Sequence, residues 1–583
     1  MTSTLEGRTT QRFDDRDPND DVLEPSSTAA ARPRIQRLGF AAGWVLLIGP
    51  FVLELLAIVR ASHLWLVARL PDDAFYYLEI ASRLSRGQGF TFDGINATNG
   101  FHPFWQFLLI PVAWATGGGD AFIRATLALG LVLCLVSVVL VVRVVARIVG
   151  WGAALMGGII AVHLSLTSWV DGMEEPAVLL ACALLLSALA AAAAHPRPKR
   201  LVLVGVLCAV VVLARFDLAI VVLIVPLALA WRARSWRTVG WWALGAGAVA
   251  VPFGTWWLVR WHHVLTTSAT VKSAQLSAAY KQQFGGRFSI GYLDYLTSVA
   301  AAYARNVQPW SYLTRPPLGA NVGVTAALTI AVLTLVITGL IAFWTQGRPR
   351  IERRWRNPAL WAVAVMAVLV VAKAVLDLVE APLWATKWYS APQRLFTGFF
   401  VGVVLWLGVQ WFMKHHRALG TIAISVAAIT ALPINGSMWR TARVSQRAPY
   451  LYAQQMDLAA DWVQEHGPPG RYGALDSGLL GFRLDGQRPV INLDGLVNSY
   501  EFADLVTRNA SLDDRIRNMR IDYFVGRLTA TDLERLGCGR VMWSHGRLPY
   551  SDTLTPLSVA PVRIVDVRGC QSPAPVARSN GST

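Results

Sequence analysis

Two adjacent carboxylates, Asp72 and Asp73, are the first residues whose types and spacing could do chemistry. They lie in the run Leu70-Pro71-Asp72-Asp73-Ala74-Phe75-Tyr76-Tyr77-Leu78-Glu79-Ile80-Ala81. A carboxylate at the water–lipid boundary can act as general base on a hydroxyl presented there. It can equally be a plain helix cap, because Asp is a favoured N-cap residue. Phe75, Leu78 and the Ala81/Ser82 region recur at helical spacing, which predicts a helix lying on the membrane surface. Downstream, the segment from Gly87 to Pro103 combines Gly and Asn residues that permit tight turns with polar side chains that could line a site, and it ends in His102. Asp171 and Glu174 share the short run Asp171-Gly172-Met173-Glu174-Glu175, Arg215 and Asp217 flank Phe216, and Lys272 sits in Thr270-Val271-Lys272-Ser273. No G-x-x-x-x-G-K-[ST] occurs, so a nucleotide-triphosphate P-loop is excluded. Each group also has a plainer reading. Arg215 can pair with Asp217, Lys272 can be merely solvated, and His102, His262 and His263 read as structural. Asp476 and Asp494 read as turn formers.

These groups must be positioned by apolar elements. The 583 residues are 54% hydrophobic and only 15% charged, against roughly 25% charged in soluble domains. The mean hydropathy is +0.43. A single soluble domain and a disordered chain are both excluded. The net charge of +17 lies in short clusters between apolar runs, without the aromatic-interleaved basic stripe of a nucleic-acid groove. Such clusters follow the positive-inside rule. Arg32, Arg34 and Arg37 place the N-terminus inside, and clusters at 143–147, 195–200, 232–237, 348–356 and 414–417 mark cytoplasmic turns.

Segment lengths near 20 residues predict about 11 spans. The first, 38–59, reads as uncleaved and follows a disordered cytoplasmic tail, 1–37. The transmembrane domain runs over 38–434, with the first outside loop at 60–121. The short apolar run 102–115 reads as interfacial or re-entrant. The two runs around Arg215-Phe216-Asp217 read as a helical hairpin whose charged apex faces outside. From 435 to 583 the apolar runs end, and strand-like pieces alternate with helical ones. The fold class expected is a polytopic α-helical membrane protein with a C-terminal extracytoplasmic α/β domain, in the plasma membrane. Cys134, Cys182 and Cys208 fall in apolar spans and read as packing residues. Cys538 and Cys570 fall in the outside domain, where a bridge is permitted.

The acidic pair after the first span, with D-D-A-F-Y-Y-L-E-I-A and then G-x-G-F-T-F-D-G-I-N-x-T-N-G-F-H-P, resembles the GT-C superfamily of integral-membrane glycosyltransferases. The likeness is to the branch around protein-O-mannosyltransferases and the aminoarabinose transferases of lipid A. Asp171-Gly172-Met173-Glu174-Glu175, Arg215-Phe216-Asp217, Thr270-Val271-Lys272-Ser273 and Lys387-Trp388-Tyr389-Ser390 support it. The resemblance spans roughly residues 38–434 and implies inverting transfer of a sugar from a polyprenyl-phosphate donor to a cell-envelope glycan, lipid or protein on the outer face. It implies Asp72 as the base, with Asp73 orienting the acceptor, binding a cation or capping the helix. Lys272 and Arg215 are the candidate phosphate contacts. Glu174, Asp171, His102 and Tyr76 are the candidate acceptor and pocket residues. No cofactor is expected, although Asp72, Asp171 and Glu174 could converge on a hard cation. A transporter or flippase of lipid-linked sugars, or a non-catalytic sugar-lipid binding protein of the same fold, is the alternative.

Overall fold

The computed structural model describes residues 27–284, 357–379, 387–415, 447–537, 539–545 and 560–571. Helix α1 (Ser27–Arg60) opens it, so helix already begins within the segment expected to be a disordered tail. Then come α2 (His63–Arg69), α3 (Asp72–Ser85) and α4 (Pro103–Thr116). The apolar runs form α5 (Gly119–Val149), α6 (Trp151–Trp169), α7 (Glu175–Ala194), α8 (Pro198–Ala214), α9 (Val221–Ala233) and α10 (Arg237–Trp261). Next are α11 (Thr267–Phe284), α12 (Pro358–Val379) and α13 (Ala391–His415).

Among the described residues, seven helical segments are long and apolar enough to cross a bilayer: Gly39–Arg60, Gly119–Val149, Glu175–Ala194, Phe216–Ala233, Arg237–Trp261, Pro358–Asp377 and Ala391–Trp411. The chain is a polytopic membrane protein. Segments 285–356 and 416–446, which contribute to the expected 11, lie outside the described residues. The run 102–115 forms α4, which is not among the seven. As the charge pattern anticipates, α8 and α9 form a hairpin whose tip is a single 3-10 turn, Phe216–Leu218.

The C-terminal domain is α/β. It comprises α14 (Arg447–His466), β1 (Tyr472–Ala474), α15 (Gly478–Arg483), β2 (Val490–Asn492), α16 (Tyr500–Thr507) and α17 (Leu512–Met519). β3 (Tyr523–Arg527), α18 (Ala530–Leu536), β4 (Arg540–His545) and β5 (Val562–Asp566) complete it. The sheet order is β2-β1-β3-β5-β4. β1 pairs in parallel with both β2 and β3, Tyr472 lying opposite Val490 and Tyr523, while β5 runs antiparallel to β3 and β4. Parallel strands need helical crossovers, which α15 supplies between β1 and β2, and α16 with α17 between β2 and β3. Cys134, Cys182 and Cys208 are buried free thiols. Cys570 is disulfide-bonded. Cys538 lies outside the described residues.

One element departs from its expected setting. Helix α3 does not lie half-exposed on a lipid surface: residues 74–83 are all buried. Its helical apolar spacing is consistent with either setting, but the C-terminal domain and α4 cover the face expected to meet lipid or water. Phe75 packs on Phe482 of α15, with ring centroids 5.5 Å apart, and Tyr76 meets Phe92 of the first loop at 5.2 Å. Its buried charges are paired accordingly. Glu79, fully buried, binds Arg83 at 2.7 Å, and Arg83 donates to the Phe92 carbonyl at 2.9 Å and meets Asp485 of the C-terminal domain at 3.3 Å. A buried ion pair broken on one side costs about 3–5 kcal/mol, so this cluster holds loop and domain in one arrangement.

Candidate active site

The site is a cleft of about 490 Å³, part of it open to solvent, where seven stretches of chain meet. Asp73, Tyr76 and Tyr77 enter from α3, Gly100, Phe101 and His102 from the first loop, and Met173 and Glu174 from the turn before α7. Arg215 comes from the hairpin tip, Ser268 and Lys272 from α11, Tyr389 from the turn before α13, and Leu496 from the C-terminal domain. Six residues singled out in the sequence, Asp73, Tyr76, His102, Glu174, Arg215 and Lys272, therefore line one cavity.

The other two, Asp72 and Asp171, do not line it. The N-cap of α3 is Pro71, with no side-chain cap, so neither acid caps the helix as expected; Asp72 and Asp73 occupy its first turn. Successive residues on a helix diverge by about 100°, and the two carboxylates separate accordingly. Asp72 accepts hydrogen bonds from the backbone N–H of Gly478 at 2.8 Å and of Leu479 at 3.0 Å. It thus caps α15, a helix remote in sequence. Burial, and the charge of Asp476 behind it, push its carboxyl up to about 8 against the pull of those two N–H groups. Asp171 is almost fully buried and accepts from the Met173 N–H at 3.4 Å, bracing the turn that presents Glu174. Asp72, Asp171 and Glu174 do not converge. Among the described residues, no group of three or more His, Cys, Asp or Glu side chains is placed to hold a metal ion.

Charge in the cleft alternates. Lys272 lies 3.6 Å from Asp73. Burial works against its ammonium charge, but Asp73, Tyr389, Glu174 and Asp494 together outweigh that and hold the group above its ordinary range. Arg215, with about 3% of its surface exposed, binds Glu174 at 2.6 Å and Asp217 at 2.9 Å, and its guanidinium lies 4.5 Å from the centre of the Tyr389 ring. The ion pair with Asp217, the plainer reading of Arg215, is present, and the side chain also lines the cleft. Lys373 of α12 adds a second cation to Asp217 at 3.1 Å and also pairs with Asp377. Tyr77 donates its hydroxyl hydrogen to Glu174 at 3.2 Å, and the His102 backbone N–H donates to the Tyr77 oxygen at 3.3 Å. Burial lowers the His102 imidazole to about 4, so it is neutral 3.8 Å from Glu174.

The C-terminal domain closes one wall. Tyr76 donates to Asp494 at 3.2 Å and accepts from the Asn492 amide at 3.2 Å. Asn99 donates to the Tyr500 hydroxyl at 2.7 Å and accepts from the Thr267 N–H at 3.0 Å, while Thr267 donates to the Leu496 carbonyl at 2.9 Å. Two glycines make this approach possible. A Cβ on Gly100 would fall inside the Leu496 carbonyl oxygen, and one on Gly478 inside the carbonyl oxygen of Asp72. Tyr77, Ser268 and Leu496 carried no individual signal in the sequence. Tyr389 stood in a motif already noted, without a role of its own.

No protein-family model and no curated protein matches the chain. Solved structures do. The chain is similar to the Archaeoglobus fulgidus oligosaccharyltransferase in its apo form, at 14% identity over 84% of this chain and 69% of that one, with a TM-score of 0.47. It is similar to the archaeal oligosaccharyltransferase AglB from the same organism in complex with an inhibitory peptide and a dolichol-phosphate, at 14% identity over 83% and 69%, TM-score 0.48. It is similar also to ArnT from Cupriavidus metallidurans in the apo state, at 16% identity over 92% and 100%, TM-score 0.46.

Proposed function

We propose that the chain is an inverting glycosyltransferase that moves a sugar from a polyprenyl-phosphate donor to a cell-envelope acceptor on the outer membrane face. The observation that carries the reading is the convergence in one cleft of a carboxylate, Asp73, with two cationic side chains, Lys272 and Arg215, drawn from distant parts of the sequence. Asp73 is the general base in this reading, and Asp72 the residue that anchors the C-terminal domain behind it.

The chemistry follows from the charges. The donor phosphate enters beside Lys272 and competes with Asp73 for its ammonium group. A phosphate oxygen is the better partner in charge and geometry, so donor binding draws Lys272 away and leaves the Asp73 carboxylate free to face the acceptor. Asp73 then takes the proton of the acceptor hydroxyl, whose oxygen attacks the anomeric carbon. The bond from that carbon to the phosphate oxygen breaks, and the polyprenyl phosphate leaves with the electron pair, with inversion at the carbon. The leaving phosphate is a stable anion and needs no second carboxylic acid. Lys272 stabilises its growing charge. Arg215, already held by Glu174 and Asp217, offers a pre-oriented donor without having to order itself on binding. Neutral His102 and the Tyr77–Glu174 pair shape the acceptor side.

Purified protein in lipid, given radiolabelled polyprenyl-phosphate sugars and a cell-envelope acceptor fraction, tests this. The wild type transfers label. Asp73→Asn loses at least about a hundredfold in rate, the scale of a removed general base. Asp72→Asn keeps most of the transfer in folded protein. Equal transfer by wild type and Asp73→Asn overturns the assignment of the base. Movement of donor between leaflets without transfer overturns the enzyme.

A further inference from the structure

The C-terminal domain holds a second and larger cavity, about 1250 Å³ and partly open to solvent, that the transfer chemistry does not use. Its position follows from topology. β1 lies between β2 and β3 with all three parallel, so the chain leaves β1 for β2 and then returns to the other side of β1 for β3. At such a reversal the crossovers diverge and leave a crevice beyond the carboxyl ends of the strands, where open α/β sheets bind ligands. The cavity occupies that place. Leu475 and Asp476 follow β1, while Gly526, Arg527 and Leu528 end β3.

Its lining is built for a ligand that is apolar on one face and hydroxylated on its edge. Arg527 stacks over the Tyr452 ring with 3.7 Å from guanidinium carbon to ring centre, and its buried Nε has no hydrogen-bond partner. Neither Arg527 nor Asp513 makes a hydrogen bond or ion pair with its side chain among the described residues. Asp476 accepts from the Tyr452 hydroxyl at 3.2 Å through one oxygen. Leu475, 39% exposed, adds an apolar surface at the rim. Asp532 caps α18 through Thr529, and the remaining carboxylates, Asp476 and Asp513, against one guanidinium give the cavity a negative balance that opposes anions. Carboxylates and a guanidinium beside apolar side chains match vicinal hydroxyls flanking a C–H face.

We propose that this crevice is a carbohydrate-binding site for a neutral or amine-bearing sugar residue of a glycan. Asp476 lies two positions before Gly478, to which Asp72 is bonded, so the crevice begins beside the contact between α3 and α15. The proposal does not depend on the transfer chemistry, because binding is read without any donor.

The test uses the full chain in nanodiscs, with a neutral oligosaccharide, an amine-bearing one, an oligouronate and a Ser/Thr-rich peptide as probes in equilibrium binding and saturation-transfer NMR. A neutral or amine-bearing oligosaccharide binds wild type, and Arg527→Gln or Asp513→Ala weakens that binding about tenfold or more, as loss of a charge-assisted hydrogen bond does. Unchanged thermal midpoints separate this from unfolding, and Asp513→Ala stands alone if Arg527→Gln does not fold. Binding of no oligosaccharide, equal binding by both variants, preference for the oligouronate, or binding of the peptide alone overturns the proposal.

Discussion

Asp73 and Lys272 are 3.6 Å apart, and both are part-exposed in the cleft. An ion pair in that position is weak in itself, and under the proposed function it is exchanged for the donor phosphate. Lys272→Gln is therefore expected to raise the KM for donor by roughly 10- to 100-fold, the range for a hydrogen bond to a charged group, with a smaller change in kcat. Initial rates across donor concentration check it; a loss confined to kcat would place Lys272 in the leaving-group step alone. Asp494 titrates in the wall behind this pair. Burial, and next the charge of Asp73, push its carboxyl up to about 7, whereas an unfolded Asp titrates near ~3.9. A group raised in the folded state contributes stability that is whole below the unfolded value and is lost as pH rises through the folded one. The contact between the C-terminal domain and α3 is thus expected to weaken between about pH 4 and pH 7. Asp494→Asn should flatten that slope in thermal midpoints. A parallel fall in wild type and variant would assign the slope to other groups.

At the scale of elements, the decisive pairing is α3 with α15. α15 has six residues, too short to be stable alone. Its first N–H groups are satisfied by Asp72 from outside the domain, and Gly478 lets the α3 backbone come close enough for that. Gly478→Ala must push the two elements apart, and overpacking of this kind costs about 1–3 kcal/mol. The expected outcome is a lower thermal midpoint with faster proteolysis after residue 446 and reduced transfer. An unchanged midpoint would show that the interface yields without cost. The same geometry explains why the two neighbouring acids have different work: one helical step turns Asp72 to the domain and Asp73 to the cleft.

Across the whole molecule, the apolar helices and the basic clusters set the orientation expected in the membrane. On that reading the C-terminal domain faces outside and the turn between α7 and α8 faces inside. A cysteine placed by Glu534→Cys should react with a membrane-impermeant maleimide on intact cells. One placed by Arg197→Cys, an exposed position in the α7–α8 turn, should react only after permeabilisation. The reverse pattern would invert the topology and move the cleft to the cytoplasmic face.

Local chemistry along the chain was enough to determine the membrane class, the α8–α9 hairpin and the α/β character of the C-terminal domain. Each depends on the length and apolarity of a contiguous run, or on helix and strand signals within one. Part of the cleft was legible for a related reason: Glu174 and Arg215 are charges next to apolar segments, where charge is expensive unless it has work to do. Lys272, in a polar stretch, stood out only through the motif Thr270-Val271-Lys272-Ser273. What only the tertiary structure decided is which groups face one another. The periodicity of α3 reads alike against lipid or against protein, so the burial of Glu79 and the turning of Asp72 toward Gly478 depend on a domain some 400 residues away. Tyr77, Tyr389 and Leu496 reach the cleft by the same kind of long-range closure. Side-chain direction follows from packing between distant elements, and no local spacing encodes it.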